Sequence, residues 1–132
     1  MTVVVVQPPY TTATCEIVQD EDWLDPLPRF LEGDEPSDLT DVTIEIFIRP
    51  VYDHSVLIKK LSTEDGTIVI DDAAGGLASI YVERETVISD IPIGKWDHFC
   101  VQSEPFGTLA GGFLRRERFR GPLIVHPGRV AS

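Results

Sequence analysis

The run Trp96-Asp97-His98-Phe99-Cys100 sets an acid, a base and a thiol side by side, the ingredients of nucleophilic catalysis. A hydrolytic site needs the nucleophile and its base within hydrogen-bond reach. On an extended strand His98 and Cys100 project to one side and Asp97 to the other, so the local spacing does not build a triad. Trp96 and Phe99 are then expected to fill space and His98 to satisfy a hydrogen bond. The other histidines, His54 and His126, sit far away in the chain and reach His98 only if the fold brings them there.

Two further runs invite a chemical reading. Asp71-Asp72 before Gly75-Gly76 has the carboxylates and sharp turn that suit calcium, but its spacing does not match the twelve-residue helix-loop-helix site, and a turn with solvated acids is the simpler account. The glycines between Gly107 and Gly112 lack the following Lys-Ser/Thr and helix of a phosphate loop. No catalytic residue, metal or cofactor is assigned, and the chain is expected not to be an enzyme.

The run Arg115-Arg116-Glu117-Arg118-Phe119-Arg120 carries a different chemistry. On a regular strand Arg116, Arg118 and Arg120 line one side, where their guanidinium forks could clamp carboxylates of a partner. A solvated edge strand guarded by charge is the competing account. Toward the other end, Cys15 to Glu45 holds eleven acidic residues and one basic residue, Arg29. Such polarity can pair the two ends within one chain, or the acidic end of one copy with the basic end of the next.

The elements that must position these groups are strands. Val42, Ile44, Ile46 and Ile48 alternate with Thr43, Glu45, Phe47 and Arg49, the period of two that sends side chains to opposite faces. Strands are also expected over Thr2–Val6, Thr14–Gln19, Ser55–Leu61, Thr67–Ile70, Leu77–Glu83, Lys95–Ser103, Phe113–Arg120 and Leu123–His126, the last two broken at Gly121-Pro122. Asp65-Gly66 marks a turn. Glu85 to Asp90 reads as a single helical turn, and Glu104 to Gly112 as a loop. This succession predicts an all-β chain: a small antiparallel β-sandwich, immunoglobulin-like or jelly-roll-like, or a barrel.

At 132 residues the chain fits one domain, 1–132, with one core. Residues 20–37, rich in acid and holding three of the ten prolines, are expected to be an irregular arm or loop. Its Trp23, Leu24, Leu27, Phe30 and Leu31 still require burial, which makes them candidate protein contacts together with Arg115, Arg116, Arg118 and Arg120. Twenty-two acidic against eleven basic residues give a net charge of -11, which opposes binding to nucleic acid. No run approaches the roughly 20 apolar residues of a membrane helix, and the opening residues lack a secretion signal, so no membrane association is expected. Cys15 and Cys100, each in an apolar run, are expected to be free buried thiols unless their strands prove to be neighbours.

The order of these features resembles a widespread group of small tailed-phage proteins. The residues that carry the resemblance are Asp38-Leu39-Thr40, the strand ending at Arg49, Leu61-Ser62, the Asp-Gly turn, Ile68-Val69-Ile70, Ile91-Pro92-Ile93-Gly94, an aromatic strand, and Arg120-Gly121-Pro122-Leu123-Ile124-Val125-His126-Pro127-Gly128. It covers Asp38 to Val130, with Asp41 where the group usually has glycine and Lys95-Trp96 where tyrosine is frequent. The resemblance implies a β-sandwich module of a virion, made in the host cytoplasm and present in several copies in the tail, baseplate or fibre attachment. Its partners would be other virion proteins and copies of itself. Head or capsid decoration is the alternative within this class. A carbohydrate-binding module, with Trp23, Tyr52, Tyr81 and Trp96 presented to sugar, is the alternative from another class.

Overall fold

The computed structural model describes residues 11–105 and 113–128. The strand expected over Thr2–Val6 and the glycine run 107–112 lie outside them. In chain order the elements are β1 (Thr11–Thr12), β2 (Cys15–Val18), β3 (Trp23–Pro26), β4 (Leu31–Glu32), β5 (Glu35–Pro36), β6 (Thr43–Pro50), β7 (Lys59–Ser62), β8 (Ile68–Asp72), β9 (Leu77–Val82), α1 (Arg84–Asp90), β10 (Gly94–Pro105) and β11 (Phe113–His126). Among the described residues the protein is all-β apart from one short helix.

Nine of the eleven described strands form two sheets that share one core, a sandwich-like arrangement, and β4 and β5 pair with each other in a separate antiparallel hairpin. The larger sheet runs β1-β11-β10-β6-β7, with β2 also on the free side of β11. Its centre is antiparallel, whereas β1 and β2 lie parallel to β11. The smaller sheet is antiparallel, in the order β3-β9-β8. On β6 the alternation is realised residue by residue: Ile44, Ile46 and Ile48 are fully buried while Thr43, Glu45, Phe47 and Arg49 face outward. They join Cys100, Phe119, Leu123 and Val125 of the large sheet and Trp23, Ile68, Ile80 and Val82 of the small one in a single apolar cluster. Within that core Gln102 is 1% exposed and neither of its amide atoms has a hydrogen-bond partner among the described residues.

Four elements depart from the sequence expectation, each for a local reason. The strand predicted from Ser55 starts only at Lys59, because Ser55 donates its backbone N–H and its hydroxyl to Asp53 Oδ1 at 3.0 and 2.6 Å and folds the chain into successive turns. The break predicted at Gly121-Pro122 is absent and β11 runs through it. There the 11–18 segment crosses so closely that a Cβ on Gly121 would lie 1.9 Å from the Ala13 carbonyl oxygen.

The strand expected to end at Ser103 continues to Pro105. Residues 20–37, expected to be irregular, instead contain β3, β4 and β5 and are stitched to the rest of the chain. Asp22 Oδ1 accepts the Arg84 N–H at the start of α1, Leu27 N–H donates to Ala78 O, and Phe30 N–H donates to Gly76 O. Pro26 is accommodated because β3 is an edge strand, paired only with β9 among the described strands.

Candidate interaction surfaces

The acid, base and thiol of 96–100 do not converge. His98 and Cys100 point into the core and Asp97 points out, as strand periodicity requires. His98 donates from Nδ1 to the Gly121 carbonyl at 2.7 Å, and burial holds its pKa below the ordinary value, so the ring is neutral near pH 7. Burial pushes the Cys100 thiol up, with Arg118 opposing, which suppresses the reactive thiolate. Burial and the neighbouring Asp25 carboxylate raise Cys15 to about 12. Both cysteines are free; β11 separates the strands that carry them. Asp97 instead accepts from His54 Nε2 at 2.7 Å on the outer face, where the His54 ring meets Phe99 edge-on.

The acidic segment and the arginine strand meet inside one chain. Between Cys100 and Val101 the β10–β11 register slips by one residue, so that Phe119 lies opposite Cys100 but Glu117 opposite Val101. This bulge at Arg118 corrects the expected arginine row, because it resets the alternation. Arg116 and Arg118 reach toward the 30–37 segment, while Arg115 and Arg120 are with Glu117 on the other face. Arg116 forms a two-pronged pair with Glu32 and also reaches Glu104 at 3.2 Å. Arg118 donates to the Leu31 carbonyl at 2.7 Å and to Ser37 Oγ at 3.1 Å, with its guanidinium over the Phe30 ring. On the far side Arg120 pairs with Glu117 and lies over Phe99, and Arg115 is 3.7 Å from Glu45.

The structure therefore separates the nine residues singled out in the sequence. Trp23, Leu27 and Phe30 are buried within this chain's own core, and Arg116 and Arg118 are engaged by Glu32 and its neighbours. Leu24, Leu31 and Arg115 remain exposed, and Arg120 pairs with Glu117 of its own strand. The hydrogen bond from Arg116 holds the Glu32 carboxyl below its usual range, against a smaller opposing effect of burial.

Two exposed apolar surfaces emerge that the sequence patterns did not single out. One is the outer face of the small sheet. Leu24 stands opposite Tyr81 in the β3–β9 register, with Val69 on β8 beside Ser79. These side chains and Pro26 line a shallow groove of about 310 Å³ whose polar members are Asp25, Asp71 and Ser79, with Ser79 Oγ donating to Asp71 at 2.5 Å. The other is the loop between β6 and β7, where Val51, Tyr52, Val56 and Leu57 are all exposed, Tyr52 to 89%. A signal for this loop did exist. Asp53-His54-Ser55 repeats the Asp-x-Ser/Thr turn of Asp38-Leu39-Thr40 and Asp65-Gly66-Thr67, and in all three the later residue's N–H and hydroxyl donate to one aspartate oxygen.

The four aromatics offered to a sugar do not share one exposed face. Trp23 is buried, and Trp96 packs on the core while donating from Nε1 to the Pro92 carbonyl. Tyr52 belongs to the loop and Tyr81 to the small sheet. Among the described residues no group of three or more His, Cys, Asp or Glu is placed to hold a metal ion, and no helix is long and apolar enough to cross a membrane. A scan against protein-family models finds no match to the chain, and no curated protein matches it significantly.

Proposed function

We propose that the chain is a structural module of a tailed-phage virion, in the tail, baseplate or fibre attachment, assembled in several copies through protein-protein contacts. The observation that carries this reading is the pair of apolar surfaces, on the outer face of β3-β9-β8 and on residues 51–57, exposed on a domain whose core is otherwise complete. Contiguous exposed apolar surface of this kind is a mark of protein contact.

The local geometry of the phage-like motifs supports the reading. Leu39 is buried behind the Asp38–Thr40 turn that leads into β6, and Asp41 adopts φ 60°, the left-handed conformation for which glycine is usual at this place in the group it resembles. Mass spectrometry of purified particles tests the proposal: peptides of this chain are expected at several copies per particle, and particles without them refute it. Separating heads from tails before digestion distinguishes a tail location from head decoration.

A further inference from the structure

We propose that the 51–57 loop is held by a pH-sensitive latch between His54 and Asp97: acid fastens the loop to the outer face of the large sheet, and loss of the His54 charge loosens it.

The loop joins β6 to β7, yet it is tied down on the other side of β6. His54 folds back across that strand to β10, where its Nε2 lies 2.7 Å from Asp97 Oδ2 and its ring stands edge-on to Phe99 with centroids 5.0 Å apart. Phe99 is itself braced from β11 by Arg120, whose guanidinium lies 4.9 Å from the ring centroid. Among the described residues the bond to Asp97 is the only side-chain hydrogen bond from residues 51–57 to another element. Ser55 bonds to Asp53 within the loop, and the backbone bonds of Asp53 and Val56 close on Pro50 and Asp53. The turn therefore fixes the shape of the loop, and His54 fixes where it lies.

The strength of this tie depends on one proton. An imidazolium makes a charge-assisted bond to the Asp97 carboxylate, and a neutral ring makes an ordinary one, roughly half as strong. The charged side chains around the ring come from the loop and four strands. Asp53 beside it and Asp97 on β10 favour the proton. Arg49, directly across from Asp97 on β6, and Lys95, two residues before Asp97 on the same face of β10, oppose it. Arg120 on β11 and Lys60 on β7 are already paired with Glu117 and Glu45. Of all these, only Asp97 is bonded to the ring. His54 is 48% exposed, so solvent supplies the proton freely and screens the pair, which limits the change in the latched population to about two- to fivefold. When latched, Val51, Tyr52, Val56 and Leu57 present their exposed apolar side chains from a fixed place. A partner that meets a held loop loses less conformational freedom on contact than one that meets a loose loop. Under the assembly reading above, on which this consequence alone rests, acid strengthens contacts made through the loop.

NMR on the intact chain tests the latch. At about pH 5.5 the nuclear Overhauser peak between the His54 and Phe99 rings is expected to be strong. At about pH 8 it should be about two- to fivefold weaker, with the backbone amides of residues 52–57 more mobile. Asp97→Asn and Asp97→Ala change an outward-facing side chain and leave the core untouched, and unshifted amides in β6 report that the fold is intact. Both variants should give the weak peak at either pH. They leave His98 and His126 in place, so a pH effect that comes from those residues survives the substitutions, whereas the latch does not. A wild-type peak of equal strength at both pH values, its absence at the lower one, or a pH dependence that survives both substitutions would overturn the proposal. Every readout is on the chain alone: a failed latch leaves the virion reading standing, and particles without this chain sink the virion reading while the latch stands.

Discussion

A side chain at position 121 would collide with the Ala13 carbonyl, and this makes Gly121 a requirement of how β11 meets the 11–18 segment. Gly121→Ala is expected to lower stability by at least about 2 kcal/mol, measured by chemical denaturation. In the sequence the same residue, followed by proline, reads as a strand break; the crossing that requires it is a contact between distant segments and has no local signature. Asp41 was legible only as a substitution for an expected glycine. Its φ of 60° shows that the aspartate adopts the turn, and Asp41→Gly should relieve the strain and raise stability by about 0.5–1 kcal/mol in the same assay. His98 links folding to pH. Its folded pKa is depressed, so its contribution is complete above the unfolded value of 6.5 and is lost as pH falls below it, when the unfolded chain takes up the proton more readily. Stability measured at pH 7.5, 6.5 and 5.5, values about the ordinary histidine pKa, should fall more steeply for the wild type than for His98→Gln.

Among the elements, β6 was the most legible, because one buried and one exposed face impose strict alternation on its sequence. The hairpin β10–β11 was legible in its strands but not in its register. The slip between Cys100 and Val101 divides the arginines between two faces, and nothing in Arg115–Arg120 alone records where the partner strand loses a residue. The 20–37 segment was misread because its prolines and acids suit an irregular arm. Each finds a specific place instead, with Asp22 at the start of α1, Pro26 on an edge and Glu32 on Arg116. Arg118 ties this segment to β11 from a largely buried position, and its removal would leave the Leu31 carbonyl and Ser37 without their donor. Arg118→Leu is expected to cost about 1–3 kcal/mol, and hydrogen exchange should show faster opening at 30–37 than in β6. The β6–β7 loop was missed because its apolar residues imitate a strand; they are exposed, so their requirement for burial is not met inside the chain.

For the molecule as a whole, the all-β class followed from strand-turn spacing, whereas the division into two sheets depends on long-range pairing such as β3 with β9. The two-ended charge offered two solutions, and the structure realises the intrachain one at Glu32, Arg116 and Arg118. The apolar loop and the apolar groove are the surfaces the fold leaves open. The central claim is that this domain is a repeated building block, and electron cryomicroscopy of the native particle tests it most directly. The account predicts density for the two-sheet sandwich at several symmetry-related positions, with protein neighbours against residues 51–57 and against Leu24, Val69 and Tyr81. Particles resolved throughout at side-chain detail, with no position that accepts this chain, would contradict it.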